Sequence, residues 1–199
     1  MIQKLDKLRN AMKLQKWKLI SAKDVSPSKW FPIENRTYQT PEGRIVNDFF
    51  VTTLSDSVHT IAITKDERVV MIQIFKQGAD DIMIQFPAGR VEKKHSSVTH
   101  AAVSELEEET GISVLESDLK FIGKLSLMST KATEIVHYYL ATDVELNSNQ
   151  NLDENEEIEI LFFTSKEIDQ MIIDGKIWDA PCIAGWELAK KKFADYLGY

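Results

Sequence analysis

Four carboxylates crowd one short run, Ser104-Glu105-Leu106-Glu107-Glu108-Glu109-Thr110-Gly111-Ile112. Upstream, Val98, Ala102 and Leu106 repeat at helical spacing, and Gly111 is the residue type that ends helices in the left-handed conformation. The pattern predicts a helix over about Ser97 to Thr110. Three or four residues make one turn, so Glu105 shares a face with both Glu108 and Glu109. Like charges at that spacing repel by roughly a few tenths of a kcal/mol per pair, and acids near a helix C-terminus oppose its dipole. Two readings answer that cost. A hard divalent cation such as Mg²⁺ takes oxygen ligands, commonly one or two carboxylates with substrate phosphates and water. Otherwise the run is a solvated acidic face.

The elements that must position this helix follow from pattern and turn chemistry. Phe86-Pro87-Ala88-Gly89 reads as a loop entering it, and Gly89 has no Cβ to keep a ligand at a distance. Strand-like stretches precede that loop: WKLISA, WFPIENRTYQT and RIVNDFFVTTL, the last two joined by a turn at Pro41-Glu42-Gly43. VHTIAIT and RVVMIQIFK form a second predicted hairpin of central strands around Lys65-Asp66-Glu67, followed by DIMIQF. Downstream, LKFIGKLSL, EIVHYYLATDV and EIEILFF read as strands. His137 alternates within the second of these as a packed or surface residue. Thr164-Ser165-Lys166-Glu167 is a capping box for a helix ending at Gly175, and Asp179-Ala180-Pro181 starts another running to about Leu197. The segment NSNQNLDENEE between strands is polar, acidic and without apolar period, hence a mobile loop.

Composition narrows the function classes. The chain has 199 residues, 43% of them hydrophobic, enough to bury one sizeable core with an appended subdomain. Lys and Arg number 24 against 31 Asp and Glu, a net charge of −7, which argues against nucleic-acid binding and means that a phosphate ligand needs a metal. Cys182 is the only cysteine, so neither an intramolecular disulfide nor a cysteine zinc site is available and a reducing cytoplasm is expected. No apolar run reaches membrane-spanning length. The opening MIQKLDKLRNAMKLQKWK predicts an amphipathic helix with Leu5, Leu8 and Met12 on one side, packed or at a dimer contact and not in a membrane.

With Gly89 ahead of it, the acidic run resembles the signature of Nudix hydrolases, Gly-x5-Glu-x7-Arg-Glu-U-x-Glu-Glu-x-Gly-U, where U is aliphatic. Phe86-Pro87-Ala88-Gly89 is similar to the entry of that family's ADP-ribose and nucleotide-sugar branch. The resemblance implies an α/β fold: an α/β/α sandwich with a mixed sheet over 56–199, and an N-terminal helix and β subdomain over 1–55 that forms a homodimer contact. It implies Mg²⁺ or Mn²⁺ held by Glu105, Glu108 and Glu109, with the carbonyl of Ala88 and an auxiliary Glu156. Glu154, in the acidic DENEE loop, is the implied general base, and Glu109 is shared between metal binding and catalysis. Trp30, Lys76 and Glu134 are the expected substrate contacts, Trp30 by stacking on a base.

Five departures bear on that reading. The interval from Gly89 to Gly111 is one position longer than the family's, with the extra residue near Lys94 and His95. The early glutamate of the signature falls on His95 or Ser96, and its arginine is Ser104. Lys76 stands where the branch carries an arginine, keeping charge without a guanidinium's two-pronged hydrogen bonding. Gln85 replaces a glutamate. The expected activity is metal-dependent hydrolysis of the diphosphate in ADP-ribose or a nucleotide sugar, giving a nucleoside monophosphate and a sugar phosphate. The alternative is a non-catalytic nucleotide-binding or regulatory module of the same fold.

Overall fold

The computed structural model describes residues 14–198. The predicted helix over residues 1–18 falls mostly outside them; the described residues 14–17 are irregular and run straight into a strand. The elements, in chain order, are β1 (Lys18–Asp24), β2 (Ile33–Gln39), β3 (Ile45–Thr52), β4 (Ser57–Thr64), β5 (Val69–Lys76), β6 (Asp81–Gln85), β7 (Ala88–Arg90), α1 (Val98–Thr110), β8 (Lys120–Ser126), β9 (Ile135–Val144), β10 (Ile158–Phe163), α2 (Ser165–Ile173) and α3 (Ala180–Phe193). Single 3₁₀ turns at Glu116–Asp118 and Ala194–Leu197 complete the list. The last helix is therefore α-helical only as far as Phe193 and tightens before Gly198, which adopts φ 71°.

Two compact units result. The smaller comprises the described residues up to Leu54 together with Ser129–Thr133. Its antiparallel sheet runs β1-β2-β3, and the Pro41-Glu42-Gly43 turn closes the second hairpin with Gly43 at φ 88°. Residues 129–133 join through a bridge between Thr52 and Ala132 and a hydrogen bond from the Thr133 hydroxyl to the Leu54 carbonyl.

The larger unit is a mixed sheet in the order β10-β5-β4-β9-β8, with β6 paired to β5 and β7 to β4. β4 and β9 run parallel, the other pairs antiparallel. β4 is buried from Ser57 to Ile63, and alternation sends its side chains to opposite faces. Ile61 and Ile63 join Phe86, Ile168, Cys182 and Trp186 in the core beneath α2 and α3. Val58 packs with Ala101, Ala102 and Tyr139, and Ala62 with Leu106 and Ile112, beneath α1. The result is an α/β/α sandwich. Among the described residues no helix is long and apolar enough to cross a membrane.

One reading changes here. Ala88–Arg90, read from the sequence as part of a loop, is a strand: Ser57, Val58 and His59 pair with Arg90, Gly89 and Ala88. Three residues with a glycine among them carry no strand signal of their own; the ladder with buried β4 makes the strand.

Candidate active site

Ser97 caps α1, its hydroxyl accepting from the His100 N–H at 2.8 Å, and Gly111 ends the helix at φ 70° with its N–H on the Glu107 carbonyl. These two residues set which turn of α1 faces β7. The extra residue of the preceding loop is taken up in a turn in which the His95 N–H reaches the Glu92 carbonyl at 3.1 Å and the Glu92 N–H returns to His95 Nδ1 at 3.0 Å.

Against β7 the carboxylates separate into different environments. Glu109 is 3% exposed, and its Oε2 accepts from the Ala88 N–H at 2.7 Å. Burial pushes its carboxyl up to about 8; the Ala88 bond opposes the shift, and the charges of Glu105 and Glu156 add to it. Glu105 lies directly over Gly89, where a Cβ would overlap its carboxyl group, so any larger residue there would push that side chain out of its present place. Burial, then Glu108, pushes Glu105 up to about 7. Glu108 is turned toward solvent, with Lys94 Nζ 3.4 Å from each of its oxygens. As they stand, no three His, Cys, Asp or Glu side chains among the described residues converge closely enough to hold a metal. Glu109 is engaged by a backbone N–H and Glu108 by an ammonium.

The donor set suits a divalent cation. Two carboxyls held above their ordinary range by burial and mutual repulsion lack positive charge, and oxygen donors from Glu105, Glu108, Glu109 and the Ala88 carbonyl are of the kind that hard cations take.

The acidic loop contributes unevenly. Glu154 and Glu156 line a cavity of about 410 Å³ with Lys76, and the charge of Glu156 is felt at both Glu105 and Glu109. Lys76 also lines a second cavity, of about 180 Å³, with Glu134, Ala88, Gly89, Arg90, His59 and Asp179. Gln85 lies on that same wall, buried, its amide on the Phe86 carbonyl at 3.4 Å. Trp30 belongs to the smaller unit, 80% exposed, with Lys29 Nζ 4.6 Å from its ring centre. His137 is tied to Asp56 at 2.8 Å and is a packed residue.

Several residues of the site carried no sequence signal. Lys94 sits in a charged loop, and its pairing with Glu108 depends on how the extra residue is folded away. Arg90 is brought in by the β7 ladder, and Asp179, legible only as a helix start, caps α3 through the Cys182 N–H at 2.8 Å. His59 alternates in β4 like an apolar residue; burial, helped by the charge of Lys76, lowers its imidazole to about 3, so it is neutral.

A model of the NUDIX domain matches residues 53–185. The chain belongs to the Nudix family. Within that family it is 29% identical over 128 residues to an ADP-ribose pyrophosphatase of Bacillus subtilis (strain 168), an alignment covering 62% of this chain and 66% of that enzyme, so just under two thirds of the relative's length is spanned. It is 30% identical over 129 residues to a methanol dehydrogenase activator of Bacillus methanolicus, covering 64% of this chain and 68% of the other. A solved structure described as an ADP compounds hydrolase superposes with a TM-score of 0.79 over 92% of this chain and 97% of its own, at 21% identity, a likeness of fold.

Proposed function

We propose that this Nudix protein hydrolyses the diphosphate linkage of a nucleoside diphosphate derivative, ADP-ribose or a nucleotide sugar, with Mg²⁺ or Mn²⁺. The observation that carries the proposal is the buried Glu109 and the half-buried Glu105 folded against Ala88 and Gly89, two carboxyls that burial raises above their ordinary range. Glu105, Glu108, Glu109 and the Ala88 carbonyl would hold the cation, with Glu156 auxiliary. When bound, the cation screens the diphosphate and the leaving phosphate.

The chain's own residues supply the rest. Glu154, on the acidic loop across the cavity from Lys76, accepts a proton from the attacking water. Water oxygen bonds to one phosphorus as the bridging phosphorus–oxygen bond breaks, so the products are a nucleoside monophosphate and a sugar phosphate. Lys76 and Arg90 place positive charge at the phosphates. Glu109 keeps the α1 carboxylates registered on β7 through its bond to the Ala88 N–H.

The 1–55 segment is proposed as the dimer-forming part of a homodimer. Its described strands leave Leu19, Ile20, Ile45 and Phe50 about half exposed, an apolar surface suited to a second copy, and Trp30 of the same segment is the proposed base-stacking residue. Light scattering of the purified protein reads the subunit count directly; a monomer at micromolar concentration rejects the dimer.

A regulatory module that binds a nucleotide without turning it over is the second reading. Ser104 in place of the signature arginine and the similarity to a methanol dehydrogenase activator favour it. Mass spectrometry after incubation with ADP-ribose, UDP-glucose, GDP-mannose or a dinucleotide, with Mg²⁺, Mn²⁺ or EDTA, separates the two. Metal-dependent release of a nucleoside monophosphate supports hydrolysis. Survival of every compound at high protein concentration, with one still bound, favours the module.

A further inference from the structure

The cavity of about 180 Å³ beside β7 falls below the roughly 300–1,000 Å³ of pockets that enclose a whole drug-sized ligand, so it takes one part of a substrate. Its lining is chemically mixed in a particular way. Lys76 and Arg90 are cations, Glu134 and Asp179 are carboxylates, and the aromatic ring on its wall is the imidazole of His59. Carboxylates accept from hydroxyls and repel phosphate. The mixture therefore suits a hydroxyl-bearing ring next to a phosphate better than it suits a base, which asks for flat apolar surfaces.

His59 sharpens this. It is 7% exposed, packs 5.5 Å from the Tyr138 ring, and its Nδ1 is buried with no hydrogen-bond partner. A neutral imidazole carries one N–H and one lone pair, and an apolar residue of β4 would fill the same place with nothing left unpaired. On the strand that pairs with Ala88, this ring is a polar group on the cavity wall with hydrogen-bonding capacity that the protein itself leaves unused.

We propose that His59 is a specificity-determining residue: its imidazole hydrogen-bonds a hydroxyl of the sugar attached to the diphosphate, while Asp179 and Glu134 accept from neighbouring hydroxyls. The substrate class rests on the hydrolase reading. The assignment of His59 also makes sense for a protein that only binds the same molecule.

The test compares ADP-ribose with the methyl ester of ADP, which keeps base and diphosphate and lacks the second sugar. Wild type, His59→Phe, which keeps a flat ring, and His59→Asn, which restores a polar group near Nδ1, are measured with each compound. kcat/KM is read with Mg²⁺, and calorimetric affinity is read with Ca²⁺ in its place, an ion that takes the same oxygen donors. The expected result is a loss of roughly 3- to 10-fold for His59→Phe on ADP-ribose, little change on the methyl ester, and partial recovery in His59→Asn. Equal losses on both compounds, or no loss on either, overturn the proposal. If wild type turns over neither compound, the hydrolase reading fails separately, and the calorimetric ratio still decides for His59. A wild-type preference for ADP-ribose that His59→Phe abolishes supports it; no preference, or binding of neither compound, overturns it.

Discussion

Two helices of this protein place glutamates where the backbone can reach them, with opposite results. At the start of α2, Glu167 accepts from the Thr164 N–H at 2.7 Å and its hydroxyl at 2.8 Å, and the Thr164 hydroxyl in turn accepts from the Glu167 N–H at 3.2 Å. The reciprocal bonds, in solvent, hold the carboxyl of Glu167 below its ordinary range. At the end of α1, Glu109 also accepts a backbone N–H, at 2.7 Å, yet its carboxyl is pushed up to about 8 because burial outweighs that bond. One glutamate stabilises the fold by being charged; the other is held where its charge costs stability.

Removing the charge from each helix should break the symmetry most plainly. Glu109→Gln is expected to lower metal-dependent turnover by more than the roughly 10- to 100-fold typical of losing an outer-shell partner of a metal site. The metal-free variant should melt no lower than wild type at pH 8. Turnover equal to wild type would take Glu109 out of the mechanism.

The pH dependence of the metal-free protein comes next. Glu105 and Glu109 have folded values of about 7 and about 8 against an ordinary 4.5, so between those limits the folded chain holds more protons than the unfolded one. Their contribution to stability is fully present below about pH 4.5 and is lost as the pH rises through 7 and 8. Thermal melts in EDTA should therefore fall as pH rises from 6 to 8.5, less steeply in Glu109→Gln. Melts that rise over this window would contradict the burial argument.

Thr164→Ala, at the other helix, should cost about 1 kcal/mol, or roughly 2–4 °C in melting temperature, with kcat/KM unchanged. A loss of activity equal to that of Glu109→Gln would erase the contrast. Smallest is Lys94→Met. The Lys94–Glu108 pair is partly exposed, so stability should change little, while divalent-cation affinity should tighten a few-fold at low salt and return toward wild type as salt is raised. Unchanged affinity at low salt would mean that Lys94 does not compete for Glu108.

The contrast between the two helices was partly legible in the sequence. Thr164 and Glu167 announce a capping box locally, and Ser97, Gly111 and the apolar period between them bound α1 just as locally. The grouping of Glu105, Glu108 and Glu109 on the side of one helix follows from its period. What that side meets does not. β7 exists through its ladder with β4, and the parallel pairing of β4 with β9 joins segments separated by the whole signature. Arg90 reaches the site through the β7 ladder, and Lys94 through the folding of the loop ahead of α1. His59 was hidden for another reason: strand alternation says that a position is inward, and its unpaired nitrogen emerges only once its neighbours are known.

The central claim is that the pair Glu105 and Glu109 against β7 is a cation site. Titration of Mn²⁺ followed by electron paramagnetic resonance tests it without recourse to turnover, in wild type and in the double variant Glu105→Gln/Glu109→Gln, with circular dichroism confirming that both are folded. Saturable binding by wild type that disappears in the double variant is the predicted result. Equal binding by the two proteins, or none by wild type, would contradict the claim.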